Sequence, residues 1–164
     1  MQTTISRPRA EVFEYLADIA NHAEFTDHYL VDWRLTREDP YGKGAGARFR
    51  IKAPLRRFSW GDVTIAELTP PYRIVEHGRI GKYNRVRMLA VYTLNAGASD
   101  TTIVEYRVET EPALLSDRLM EMLGGRSWTH RQVAKAMRRL RRILEEDRGR
   151  GRRATIAGIT LRQP

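Results

Sequence analysis

The feature that most constrains the fold is a run of strand-like segments with no long helix between them. Residues 31–110 contain six such segments, separated by turns rich in glycine, proline, asparagine and aspartate. Val31, Trp33 and Leu35 alternate with polar residues, and so do Phe49 and Ile51. A period of two is typical of a strand with one buried face. Because parallel strands need long crossovers, six consecutive strands predict an antiparallel sheet.

Helical patterns lie on both sides of this run. Val12, Phe13 and Leu16 recur at helical spacing, and a second short helix is predicted over residues 21–28. After the strands, a helical pattern starts at residue 114, breaks at two consecutive glycines, and continues as an apolar stripe over residues 128–144. A sheet with one apolar face needs a cover, and this C-terminal helix is the available one. Residues 1–5 have room for a short seventh strand.

The predicted order of one strand, two short helices, six strands and one long helix resembles the START-like (SRPBCC) superfamily, and most of all its polyketide cyclase/dehydrase-type members. Residues 5–30, 63–78 and 128–146 carry the resemblance, which covers roughly residues 1–147. It implies an α+β helix-grip fold, in which a curved antiparallel sheet of six to seven strands wraps a long C-terminal helix. It also implies a cavity between sheet and helix that holds an apolar ligand.

Seven bulky side chains lie on the predicted inward faces of the strands and the long helix. They are Trp33, Phe49, Met88, Tyr92, Tyr106, Trp128 and Met137. Large apolar groups with a few polar tips suit a mostly apolar binding site, but the same residues could simply fill a core. The resemblance favours these seven as ligand-binding residues, whereas their spacing alone does not decide between ligand contact and packing.

The chain shows no enzyme signature. It has no cysteine, which excludes disulfides, thiolate metal sites and cysteine nucleophiles. It also lacks a phosphate-binding loop, a serine elbow and a dinucleotide fingerprint, so no cofactor is predicted. His22 and His28 are six residues apart, a spacing that does not place two ligands on one helix face, and no metal site is predicted.

Two residues are weak candidates for an acid or base. His77 could act with Tyr106 if its strand turned this side chain inward, although a solvent-facing His77 is the favoured interpretation. If Glu76 faced inward with Ile74 instead, the cost of burying a carboxyl would demand a partner. The alternation in this strand does not decide which face is inward.

The net charge of +9 lies entirely in the C-terminal part of the chain. Residues 126–164 carry twelve basic and three acidic side chains, whereas residues 1–125 are balanced. We therefore predict a neutral domain over residues 1–147 and a basic, flexible tail over residues 148–164. Weak contact of residues 126–164 with an anionic membrane is the alternative to a merely solvated basic end. No motif indicates specific binding of nucleic acid.

These patterns lead to a ranked set of functions. The first is a protein that binds or carries a small hydrophobic ligand, lipid- or polyketide-like, between sheet and helix. The second is a cyclase or dehydrase-type enzyme that uses an acid or base in the cavity, and the third is a membrane-surface or nucleic-acid adaptor. The start of the chain lacks the apolar segment of a secretory signal, and a cytoplasmic location is expected. The oligomeric state is not indicated.

Overall fold

The structure is a computed structural model that describes residues 1–52, 58–111 and 125–159. Its main sheet contains β1 (Gln2–Ile5), β2 (Leu30–Leu35), β3 (Gly46–Lys52), β4 (Phe58–Thr69), β5 (Arg73–Ile80), β6 (Val86–Ala96) and β7 (Thr102–Glu111). The helices are α1 (Arg9–Ala17), α2 (His22–Thr26) and α3 (Arg126–Glu146), and two short strands follow, β8 (Ala154–Thr155) and β9 (Gly158–Ile159). Single 3₁₀ turns occupy Ile19–Asn21 and Lys82–Asn84.

The seven strands form one curved antiparallel sheet in the order β1-β7-β6-β5-β4-β3-β2. All strands from β2 to β7 pair with their neighbours along the chain, and β1 closes the other edge by pairing with β7. The long helix α3 lies against the concave face, where Val133, Met137 and Leu140 are buried. The predicted α+β helix-grip fold is confirmed, including the short first strand and the two short helices after it.

A bulge in β2 changes one part of the predicted alternation. Asp32 has a φ of 55°, and the pairing of β2 with β3 shifts between Val31 and Arg34. Leu30 therefore sits opposite Ile51 and packs against the core, whereas Val31 sits opposite Arg50. The inward position predicted for Val31 is wrong, because one extra residue in a strand moves the side chains before it to the opposite face.

The helices bury the faces that their sequences indicate. In α1, Val12, Phe13, Leu16 and Ala17 are buried. The short α2 is buried on every side, since all five of its residues are buried. The predicted helical segment after residue 114 and its break at Gly124 lie outside the described residues. Helix α3 itself continues without interruption from Arg126 to Glu146.

Residues 148–159 do not form the predicted flexible tail. The backbone N–H of Gly151 donates to the Glu24 carbonyl at 2.9 Å, and Ala154 is buried at 2% exposure. Arg150 and Arg153 pair with carboxylates of the body, and the β8–β9 hairpin packs on β2. The composition suggested flexibility because it is rich in glycine and arginine, but Arg150 pairs with the buried Glu24 and Arg153 with the partly buried Asp18. Residues 160–164 lie outside the described part.

The long helix also uses one arginine differently from the prediction. Arg139 belongs to the basic face, yet its guanidinium pairs with Asp27 and donates to the Glu24 carbonyl at 3.0 Å. Within the described ranges, no helix has both the length and the apolar character needed to cross a membrane.

A cavity with a buried carboxyl as the candidate site

A cavity of about 1190 Å³ lies between the concave face of the sheet and helix α3. Strands β2 to β7 supply one wall, and α2 and α3 supply the other. All seven residues singled out in the sequence line it: Trp33, Phe49, Met88, Tyr92, Tyr106, Trp128 and Met137. The structure thus brings them together around one space, and their contact with a ligand stays a prediction.

Strand register explains why the aromatic side chains meet. Tyr92 of β6 is paired with Tyr106 of β7, and both point to the concave face, with ring centres 4.4 Å apart. Trp33 of β2 lies in the bulge and packs on Phe49 of the neighbouring β3, with ring centres 4.8 Å apart. Such ring pairs give the walls a fixed shape, because large aromatic side chains have few rotatable bonds and pack with defined geometry.

The inner end of the cavity contains a buried carboxyl. Glu76 follows Ile74 on the inward face of β5, and it is only 3% exposed. Its Oε1 lies 3.2 Å from Nδ1 of His22, which α2 brings in from the other wall. This is the partner that burial of Glu76 demanded. The contact is close enough for an ion pair, but it is poorly aligned, and Oε1 makes no hydrogen bond to any described residue.

The other ring nitrogen of His22, Nε2, contacts a backbone carbonyl. Nε2 lies 2.8 Å from the carbonyl oxygen of Leu16, which can only accept, so Nε2 carries a hydrogen and donates it. Nδ1 then faces the Glu76 carboxyl. Burial raises the pKa of Glu76, and the nearby imidazole partly offsets this rise.

Three tyrosine hydroxyls share the cavity with this carboxyl. Burial raises the pKa of Tyr29, Tyr92 and Tyr106, and the negative charge of Glu76 raises each of them further. All three phenols therefore stay protonated near neutral pH and can donate hydrogen bonds. The arrangement offers a ligand an apolar space with one carboxyl–imidazole pair and three hydroxyl groups at its polar end.

His77, one of the two weak catalytic candidates, lies outside this cluster. Its side chain is exposed on the convex face of the sheet, so its suggested role as an acid or base beside Tyr106 is withdrawn. The reason is the strand alternation itself, which turns His77 outward because Glu76 is turned inward. Tyr106, the second candidate, does line the cavity.

The remaining histidines take up separate positions. His28 is half-buried, its Nε2 donates to the carbonyl of Gln132 at 3.2 Å, and its Nδ1 lies 3.3 Å from Nη1 of Arg139. Burial lowers the pKa of His28. His130 is exposed on α3 at the outer end of the cavity. Across residues 1–52, 58–111 and 125–159, no three histidine, aspartate or glutamate side chains are grouped so as to hold a metal ion.

Two members of the polar cluster carry no signal in the sequence that marks them as site residues. His22 and Tyr29 belong to a segment in which nearly every side chain is buried, so helical periodicity does not separate a cavity face from a packing face. The signal that pointed to the site was Glu76 itself, since a charged residue between Val75 and His77 in a short strand must either face solvent or find a partner.

The family model described as activator of Hsp90 ATPase homolog 1-like protein matches residues 6–145. The chain belongs to this family. Together with the helix-grip architecture and the structures below, this membership confirms the START-like (SRPBCC) resemblance. No curated protein matches the chain.

Solved structures share the fold at low sequence identity. An uncharacterized protein from Rhizobium leguminosarum is 15% identical, with a TM-score of 0.60 over 88% of this chain and 91% of its own. The KanY protein is 14% identical, with a TM-score of 0.67 over 88% of this chain and 94% of KanY. The di-domain ARO/CYC protein StfQ from the steffimycin biosynthetic pathway is 13% identical, with a TM-score of 0.60 over 90% of this chain and 44% of StfQ.

Proposed function

We propose that this chain is a cytoplasmic protein that binds or carries a small, mostly apolar molecule, lipid- or polyketide-like, in the cavity between sheet and helix α3. The observation that carries the proposal is the cavity itself, whose volume of about 1190 Å³ leaves room for a small molecule.

The character of the walls supports an apolar ligand. The side chains around the space are mainly aromatic and aliphatic. Tyr29 makes an edge-to-face contact with Trp128, with ring centres 6.2 Å apart, and this contact extends the aromatic lining onto α3. Among the polar groups of the lining, His22 and the hydroxyls of Tyr29, Tyr92 and Tyr106 lie close enough to Glu76 to interact with its charge. An apolar site with a small number of placed polar groups is the usual form of a small-molecule site.

A second candidate function is an enzyme of the cyclase or dehydrase type. The observation that favours it is the Glu76–His22 pair, since a buried carboxyl with a raised pKa and an imidazole 3.2 Å away can exchange a proton with a bound molecule. A ligand carrier would release its compound unchanged. An enzyme would convert it, and the conversion would be lost in Glu76→Gln.

Two measurements test the binding proposal. Native mass spectrometry of the purified protein should detect a co-purifying apolar compound, and the fluorescence of Nile red should rise when the dye enters the cavity. Ala136 lines the cavity from α3 and is 2% exposed, so Ala136→Leu should fill part of the space and weaken dye binding several-fold.

Ala134→Leu provides the matched control. Ala134 lies two residues away on the same helix and does not line the cavity, so the same added volume should leave dye binding unchanged. Thermal unfolding of both variants separates lost binding from lost folding. Equal dye binding by the wild type and a folded Ala136→Leu protein would rule out the cavity as the site.

A further inference from the structure

Like the indole N–H of Trp33, the carboxyl of Glu76 is a buried polar group of the cavity with an atom that lacks a hydrogen bond to any described residue. It is 3% exposed, and its Oε1 has a charge partner in His22 but no hydrogen-bond donor among the described residues. A buried carboxyl without its hydrogen bonds is costly, and a donor supplied from the cavity would remove part of that cost. The group that fills this end of the cavity is therefore expected to be a donor.

The charge around Glu76 selects against one class of ligand. The other titratable groups that act on the carboxyl or lie in its field are His22 from α2, Tyr29, Tyr92 of β6 and Tyr106 of β7. Only His22 among them can carry positive charge. The cationic side chains that line the cavity from strands and helix, Arg107 and Arg131, are exposed. A ligand anion near Glu76 would place two negative groups in a poorly solvated space beside one imidazole.

We propose that the ligand is an apolar molecule that presents a hydroxyl group, an alcohol or a phenol, to the Glu76 carboxyl and carries no negative charge. The hydroxyl donates to Glu76 and accepts from one of the tyrosine hydroxyls. This inference rests on the proposed function, because it names the class of molecule that the same cavity takes. It excludes carboxylate ligands such as free fatty acids from the polar end.

The test uses three flat aromatic probes of matched size: 2-naphthol, its methyl ether and 2-naphthoate. The first is a donor, the second only accepts, and the third is an anion near neutral pH. Displacement of Nile red from the wild-type protein should require about tenfold less 2-naphthol than either of the others, equivalent to about 1.4 kcal/mol. In Glu76→Gln the preference for 2-naphthol over the methyl ether and over 2-naphthoate should shrink, because the amide adds a hydrogen-bond donor and cannot carry a negative charge.

Glu105→Gln is the matched control. Glu105 is exposed on β7, so this variant should keep the wild-type preference for 2-naphthol. Equal displacement by all three probes, or strongest displacement by 2-naphthoate, would overturn the inference while leaving ligand binding in place. Absence of Nile red binding and of displacement in the folded wild-type protein would instead overturn the proposed function. A preference for 2-naphthol that persists in Glu76→Gln would assign the selectivity to the tyrosines and overturn the role of Glu76.

Discussion

Two adjacent residues on β5 show how much depends on a single side chain. Glu76 faces the cavity at 3% exposure, whereas His77 faces solvent. Residue type alone would favour the reverse, because a histidine is easier to bury than a carboxylate. Burial of Glu76 depends on His22, because α2 places Nδ1 of this histidine 3.2 Å from Oε1 of Glu76. A buried charged residue with one imperfect partner is typical of a functional position rather than of a stabilising one.

The Glu76→Gln variant should be more stable than the wild type at neutral and higher pH. Burial raises the pKa of Glu76 above its usual value of 4.5, so the folded chain binds this proton more tightly than the unfolded chain. The free energy of unfolding of the wild type then falls as pH rises above that value, whereas glutamine does not titrate. We expect the variant to gain about 1 to 2 kcal/mol by about pH 8, and less at about pH 5.

Urea unfolding of both proteins across this pH range measures the difference. Glu105→Gln, on the exposed face of β7, should track the wild type. A stability difference between Glu76→Gln and wild type that stays constant with pH would show that the carboxyl does not titrate as the buried geometry requires.

At the scale of elements, the segment after α3 stabilises the wall of the cavity. Glu24 of α2 is 5% exposed, yet its carboxylate accepts from the Tyr15 hydroxyl at 2.8 Å and from Arg150 at 2.6 Å. Arg139 of α3 donates to the Glu24 backbone carbonyl and thereby connects α2 to α3. The short α2 could not hold His22 in place by its own helical bonds, because five residues make little more than one turn.

Arg150→Ala should therefore destabilise the protein. Removing this guanidinium leaves a buried carboxylate without its charge partner, and Arg150 itself is only one-third exposed. We expect a loss of about 1 to 3 kcal/mol in the free energy of unfolding, measured by urea titration near neutral pH.

The neighbouring exposed Arg152 supplies the control. Arg152→Ala removes the same charge from the same segment and should change stability by no more than about 0.5 kcal/mol. Equal effects of the two substitutions would mean that net charge, and not the Glu24 contact, accounts for the loss.

At the scale of the whole molecule, the basic C-terminal part divides into two sets of side chains. Arg139, Arg150 and Arg153 are paired with carboxylates of the body. A second set faces solvent as one stripe along α3, at spacings of three and four residues. Its members are Arg131, Lys135, Arg138 and Arg142. Weak contact with an anionic membrane stays a prediction, and we propose that this stripe, rather than the segment after the helix, would make it.

Removal of charge from the stripe should weaken binding to vesicles that contain equal amounts of phosphatidylcholine and phosphatidylserine. Each basic residue near such a surface contributes about 1 kcal/mol, so replacement of Lys135, Arg138 and Arg142 by glutamine should lower binding about a hundredfold at low salt. Vesicle co-sedimentation measures the change.

The control removes equal charge from the convex face of the sheet, where Arg73, Arg79 and Arg87 are exposed. Their replacement by glutamine should reduce binding much less. If the two triple variants lose affinity equally, the attraction depends on net charge alone, and if the wild type does not bind at low salt, there is no membrane contact.

The sequence by itself determined the architecture of this protein. Period-two segments such as Phe49 and Ile51, the absence of crossover helices and one long apolar stripe on α3 were sufficient, because they depend on local periodicity and on the need to cover an apolar face. The same periodicity placed seven side chains on inward faces that the structure brings around one cavity. It did not extend across the bulge at Asp32, since a backbone irregularity has no period.

Only the tertiary structure decided which polar groups enter the cavity and where the C-terminal segment lies. Glu76 and His22 are 54 residues apart in the chain, and Arg150 is 126 residues from Glu24, so no local pattern relates them. Burial of a charge is settled by the partner that folding brings to it. That is why a segment of flexible composition became a packed one, and why His22 of α2 became the neighbour of the carboxyl in the cavity.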